Sequence, residues 1–135
     1  MTIQFANKNN YEYVKTKDKH VEHEMLLRKI KSNEIIVAME NNKTIGWLRY
    51  NYFWDNTPFM NMLWIDESCR GQGIGKELVE FWEKEMKKSN YNLVMTSTQA
   101  NEEAQHFYRK LNYKDSGSLL LENEPLEIIF VKNLK

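Results

Sequence analysis

Cysteine occurs once in the chain, at Cys69. That excludes an internal disulfide framework and leads us to expect a reducing, cytoplasmic setting. No histidine adjoins Cys69 in sequence, so we read it as a bystander thiol rather than a nucleophile. Net charge is missing too: 19 basic residues balance 19 acidic ones, leaving no electrostatic footprint for nucleic acid or an anionic membrane. No run of 18 apolar residues occurs, and the first residues lack the charged-then-apolar pattern of a secretory signal. Repeats, linkers and low-complexity tracts are absent as well. These absences leave the expectation of a single domain, 1–135, long enough to bury a sizeable core. What the chain has in quantity is aromatic residues. They make up 13%, with four Trp and seven Tyr, which suits a well-filled core and an aromatic-lined cleft.

Glycine is scarce, yet three of the five glycines fall within Arg70-Gly71-Gln72-Gly73-Ile74-Gly75-Lys76. Before this stretch, Phe59 to Ile65 reads as an apolar strand. After it, Ile74, Leu78, Val79, Trp82 and Met86 are spaced as one face of a helix. Strand, glycine-rich turn and helix together aim free backbone N–H groups at one point, which the helix dipole makes electropositive. An anion is the natural occupant, and phosphate the commonest. Glycine lets backbone approach it without a Cβ in the way, and Arg70 and Lys76 add positive charge on either side. Two familiar phosphate loops do not fit. A P-loop would need glycine at Arg70 and a hydroxyl at Glu77. A dinucleotide fingerprint would need glycine at Lys76. The pattern Arg/Gln-x-x-Gly-x-Gly/Ala, written here by Arg70, Gly73 and Gly75, does fit.

Along the rest of the chain, residues 3–6 read as a short strand, and Asn9 and Asn10 as caps of a helix through about Lys17. A second helix is predicted from His20 to Lys31, ended by Ser32-Asn33. His20 and His23 lie three apart on it, but no Cys or Asp completes a ligand set, so no metal is expected. Strands are predicted at Glu34–Met39 and Thr44–Trp54 around an Asn41-Asn42 hairpin turn. The helix after the glycine loop should carry Glu80–Lys84 and Glu83–Lys87 pairs on its outer face and stop at Ser89-Asn90. Leu93 to Thr98 follows as a strand parallel to its predecessor, reached through a helical crossover. Ala104, Phe107, Tyr108 and Leu111 then mark one face of a further helix, which on its spacing makes Tyr108 a core residue. Two strands, about 116–121 and 127–132, close the chain.

The second motif lies in that last helical segment. Asn101, Ala104, Phe107, Tyr108, Lys110 and Tyr113 resemble Asn-x-x-Ala-x-x-Phe-Tyr-x-Lys-x-Gly-Phe/Tyr, with Asn112 in the glycine slot, where a left-handed residue is wanted. With the glycine loop about 30 residues upstream, this pair of motifs resembles the GNAT superfamily of N-acetyltransferases over nearly the whole chain. The resemblance implies an α/β (α+β) fold: a mixed, mostly antiparallel central sheet of six to seven strands flanked by about four helices. A V-shaped cleft would lie between two parallel central strands. It implies acetyl-CoA as cosubstrate, with pantetheine along Leu63, Trp64 and Ile65 and pyrophosphate on Arg70, Gly71, Gln72, Gly73, Ile74, Gly75 and Lys76. Asn101 either caps its helix or touches the coenzyme. Tyr108 becomes the general acid that protonates the departing thiolate.

The same resemblance implies direct transfer to a primary amine of a small-molecule or peptide acceptor. Neither nucleic acid nor membrane is involved, and the protein is a monomer or homodimer. No motif marks the general base. Asp55, in the aromatic turn Tyr52-Phe53-Trp54-Asp55, is one candidate; Asp66, Glu122, Glu124 and a solvent route are others. A non-catalytic acyl-CoA-binding or protein-interaction module on the same fold is the alternative from another class.

Overall fold

Seven strands and four helices account for most of the chain, whose computed structural model describes residues 1–135. In order they are β1 (Thr2–Phe5), α1 (Tyr11–Lys17), α2 (His23–Lys31), β2 (Ile35–Glu40), β3 (Lys43–Phe53) and β4 (Thr57–Ile65). Then follow α3 (Ile74–Lys88), β5 (Leu93–Gln99), α4 (Ala104–Lys110), β6 (Lys114–Leu119) and β7 (Glu127–Asn133). The strands form one sheet in the order β1-β2-β3-β4-β5-β7-β6. Strand β5 runs parallel to β4, as its helical crossover requires, while β1–β2, β2–β3, β5–β7 and β6–β7 are antiparallel. The fold class expected from the motifs is the one found.

Two compact units divide the chain: Met1–Tyr50 with Met62–Trp82, and Asn51–Asn61 with Glu83–Lys135. In the first, β2 and β3 are buried on both faces, which is why they read as near-continuous apolar runs. Ile35, Val37 and Trp47 pack with Val14 of α1 and Leu26 and Ile30 of α2. Their neighbours Ile36, Leu48 and Tyr50 face the other way, where Tyr50 meets Trp82 of α3 and Phe81 meets Phe5. A buried ion pair joins the connection between α1 and α2 to β3: Arg49 Nε donates to Asp18 Oδ2 at 2.7 Å. Asp18 Oδ1 also accepts from the backbone N–H of His20 at 3.0 Å. That local bond holds residues 18–22 out of helix. Helix α2 therefore starts at His23 and leaves His20 outside it, unlike the expectation. The first helix departs as well. Asn7 and Asn10 cap a short 3₁₀ turn reciprocally, and Asn10 is buried with its amide on Thr44 rather than capping α1.

In the second unit, β5 and β7 pair in register, Thr96 opposite Phe130, and α4 lays Tyr108 against Phe130 and Tyr113. Glu83 of α3 does not pair with Lys87 on an outer face. It accepts from the Tyr113 hydroxyl at 2.7 Å and from Lys132 Nζ at 2.9 Å. A buried phenol and an ammonium from β7 outcompete the solvated i,i+4 partner, because both are already fixed beside it.

Helices α2, α3 and α4 end alike. Asn33, Asn90 and Asn112 follow them with φ of 57°, 71° and 72°. The N–H after each asparagine returns to a carbonyl five residues back: Glu34 to Lys29, Tyr91 to Met86 and Tyr113 to Tyr108. These are Schellman ends with asparagine in the left-handed slot where glycine is usual, and they show how so few glycines suffice.

Candidate active site

The first unit builds the glycine loop. β4 meets β3 at its end, the Asp66 N–H donating to Ile45 O at 2.8 Å. By antiparallel alternation Trp64 and Asp66 then turn their backbone groups to β3, and Leu63 and Ile65 turn theirs away. Gly46 of β3 makes the close approach possible. A Cβ there would lie 2.8 Å from Ile65 Cδ1 and 2.9 Å from the Trp64 carbonyl oxygen. After a 3₁₀ turn at Glu67–Cys69, Gly71 and Gly73 take φ of 78° and 81° and α3 begins at Ile74. Both glycines occupy backbone that L-residues rarely adopt, whereas Gly75 lies inside the first turn of α3. The acidic Glu77 in that turn and the exposed Lys76 complete the rim. This is the expected strand–loop–helix, with a helix of 15 residues supplying the dipole.

Arg70, expected to add positive charge beside the loop, folds back onto its own strand. Its Nε donates to the Ile65 carbonyl at 2.9 Å, and its guanidinium lies 4.5 Å from the centre of the Trp64 ring. Trp64 in turn packs on the buried Trp47, which is edge-on to Tyr13 of α1. The Tyr13 hydroxyl donates to Asp66 Oδ1 at 2.6 Å, and Lys17 lies 3.9 Å from the same oxygen. Burial and that carboxylate bond raise the Tyr13 phenol above the ordinary tyrosine range. Tyr13, Trp47 and Lys17 carried no motif. Only their helical or strand parity could have suggested that they meet.

The second unit holds Tyr108, Asn101 and Asp55. β4 and β5 pair here through Phe59↔Met95 and Met60↔Thr96, and the Thr96 hydroxyl donates to the Met60 carbonyl at 3.0 Å. Tyr108 is 6% exposed beside Thr96, among Phe107, Tyr113 and Phe130. Burial pushes its phenol up to about 12, with the Thr96 hydroxyl pulling the other way. Asn101 is exposed in the turn before α4. The cap position belongs to Glu103, so Asn101 does not cap the helix. Asp55 sits in the exposed turn between β3 and β4 with φ of 55°, next to a left-handed Trp54 that is 84% exposed. No hydrogen bond or ion pair joins Asp55 to Tyr108. Of the other carboxylates considered, Asp66 is engaged by Tyr13, and Glu124 accepts from Gln99 at 3.0 Å.

The comparisons name the family. The sequence profile of the Acetyltransferase (GNAT) family matches residues 3–113, and the chain belongs to that family. Among curated proteins no significant match is found. Solved structures share the fold at low identity. Ard1 from Thermoplasma volcanium superposes with a TM-score of 0.84 at 14% identity, covering 98% of this chain and 96% of that one. The yncA protein from Salmonella typhimurium, solved with its cofactor acetyl-CoA, gives 0.83 at 13% identity over 100% and 94%. An aminoglycoside 6'-N-acetyltransferase complexed with coenzyme A gives 0.81 at 18% identity over 100% and 98%. No helix is long and apolar enough to cross a membrane.

Proposed function

We propose that the protein is an acetyl-CoA-dependent N-acetyltransferase that passes the acetyl group directly to a primary amine. The observation that carries the reading is the glycine loop: Gly71 and Gly73 left-handed, leading into α3, in a chain of the acetyltransferase family. The loop's N–H groups and the helix dipole suit a pyrophosphate, and Lys76 adds a mobile positive charge. The backbone groups of Leu63 and the N–H of Ile65, which face away from β3, suit an extended amide-containing arm such as pantetheine, the Ile65 carbonyl being taken by Arg70. Asn101 is exposed and spared from capping, which leaves its amide available to the coenzyme.

In this reading the acceptor nitrogen attacks the thioester carbonyl, the tetrahedral oxyanion forms, and the C–S bond breaks with the electron pair leaving on sulfur. A backbone N–H of β4 is the simplest preorganised donor for the oxyanion. Tyr108 gives its proton to the thiolate. A phenol held to about 12 stays fully protonated at working pH, so the donor is always charged with its proton. The amine's own proton goes to solvent, since the strand after α3 carries no carboxylate. A peptide or small-molecule amine is the acceptor class, as the aminoglycoside enzyme among the structural relatives illustrates for its own substrate.

Two measurements test this. Calorimetric titration with acetyl-CoA should show stoichiometric binding. Acetyl-CoA consumption should then rise with one class in a panel of peptide and small-molecule amines. Binding without turnover on any amine, or on a cell extract scanned for acetylated products, would instead identify a non-catalytic acyl-CoA-binding module.

A further inference from the structure

We infer that Arg70 serves the coenzyme site through its hydrogen bond to the Ile65 carbonyl rather than through its charge. It is a positioning residue that fixes where β4 ends and the glycine loop begins. This deepens, and rests on, the acetyl-CoA reading.

Arg70 is exposed and could extend into solvent, yet it folds back five residues onto its own strand. The Nε–carbonyl bond of 2.9 Å and the guanidinium 4.5 Å from the Trp64 ring centre together hold it there. The platform beneath it is rigid. Trp64 packs on Trp47, which is 1% exposed, and Gly46 admits the Trp64–Ile65 backbone at a distance that any side chain would forbid. The carbonyl Arg70 takes is on the edge of β4 that faces away from β3. Along that edge β4 pairs with β5 only at Phe59 and Met60, so the Ile65 carbonyl is left for Arg70, and the chain turns into Glu67–Cys69 instead of continuing as strand. A Cβ on Gly71 or Gly73 would meet nothing within 4 Å, so no packed neighbour fills the space on that side of the loop. Their position is inherited from Ile65, Arg70 and the start of α3. Lys76 differs on each count: it is exposed, and no ion pair or hydrogen bond engages its ammonium.

Glutamine separates the two roles. Its amide nitrogen stands at the same place along the side chain as arginine Nε, and it donates a hydrogen bond without carrying charge. The experiment titrates coenzyme A by calorimetry, at several salt concentrations, into wild type, Arg70→Ala, Arg70→Gln and Lys76→Ala. Arg70→Ala should weaken binding about tenfold, the scale of one lost charge-assisted hydrogen bond. Arg70→Gln should recover most of that loss. Both Arg70 variants should keep a salt dependence close to parallel with wild type, while Lys76→Ala should flatten it. If Arg70→Gln binds as poorly as Arg70→Ala and both flatten the salt dependence as Lys76→Ala does, Arg70 is a charge ligand and the inference is overturned. Failure of wild type to bind coenzyme A at all would sink the acetyl-CoA reading instead. A ligand-free readout then still decides Arg70: the backbone amide resonances of residues 67–73 should move in Arg70→Ala and return in Arg70→Gln, and resonances unmoved in Arg70→Ala would refute the positioning role.

Discussion

Tyr108 shows how one side chain can satisfy a packing rule and a chemical role together. Its helical spacing marks it as core, and it is core: 6% exposed, against Phe130 and Tyr113. The same burial pushes its phenol up to about 12. Tyr108→Phe keeps the ring, so we expect turnover to fall roughly 10- to 1000-fold with acetyl-CoA affinity little changed, the pattern of a group that acts only as the C–S bond breaks. Stopped-time product assays and calorimetry check the two halves. The pH profile follows from the sign of the shift. A lysine-type acceptor loses its proton near 10.4, so the rate should climb through pH 10, and no decline due to Tyr108 should appear before pH of about 12. A wild-type decline near pH 9 to 10 that vanishes in Tyr108→Phe would show an ordinary phenol instead. The loop glycines offer a contrast at the same scale. Gly73→Ala forces φ of 81° on a residue with a Cβ, which disfavours it by about 1–2 kcal/mol, and coenzyme affinity should drop about tenfold. Gly75→Ala sits in helical backbone and should instead stabilise α3 by about 0.5–1 kcal/mol in thermal unfolding.

Among the elements, the connection between α1 and α2 depends on a contact that joins residues 31 positions apart. Asp18→Ala leaves the Arg49 guanidinium, 7% exposed, without its counter-charge, and urea unfolding should register a loss of about 3–5 kcal/mol. Replacing both residues by apolar ones of similar volume should cost far less. This pair was invisible in the sequence, because a lone Asp after a helix reads as a solvated terminus and only β3 brings Arg49 to it. Glu83 was misread for the same reason: local spacing offered Lys87, and tertiary structure offered Tyr113 and Lys132. What could be read was local. The strand, glycine loop and helix from Phe59 to Lys88 carry their own punctuation, and Asn112 announces its left-handed φ by standing in a glycine slot. Arg70 falls between these cases. Its place in the loop was legible, but its return to Ile65 and Trp64 was not, since a charged residue beside a phosphate motif reads first as a phosphate ligand.

At the scale of the whole molecule, buried tyrosines link stability to alkaline pH. Tyr108 is raised to about 12, and burial together with Glu83 raises Tyr113 beyond the ordinary range. In the unfolded chain both ionise near 10, so above that pH the unfolded state binds fewer protons than the native one. Stability is full below pH 10 and should then fall with a slope approaching 1.4 kcal/mol per pH unit for each phenol. Urea midpoints at pH 9, 10 and 11 should drop accordingly, and Tyr113→Phe should flatten the decline. The asparagines that end three helices set a slower clock. Six asparagines hold left-handed backbone in this chain, at 33, 41, 42, 90, 112 and 123. Hydrolysis of a side-chain amide turns asparagine into aspartate, so an ageing preparation should spread on isoelectric focusing from neutrality toward negative charge. At Asn33, Asn90 and Asn112 the new carboxylate would face the negative pole of a helix, a penalty of about 0.3–1 kcal/mol apiece. Deamidated species should therefore melt earlier than fresh protein, and the most acidic band earliest of all.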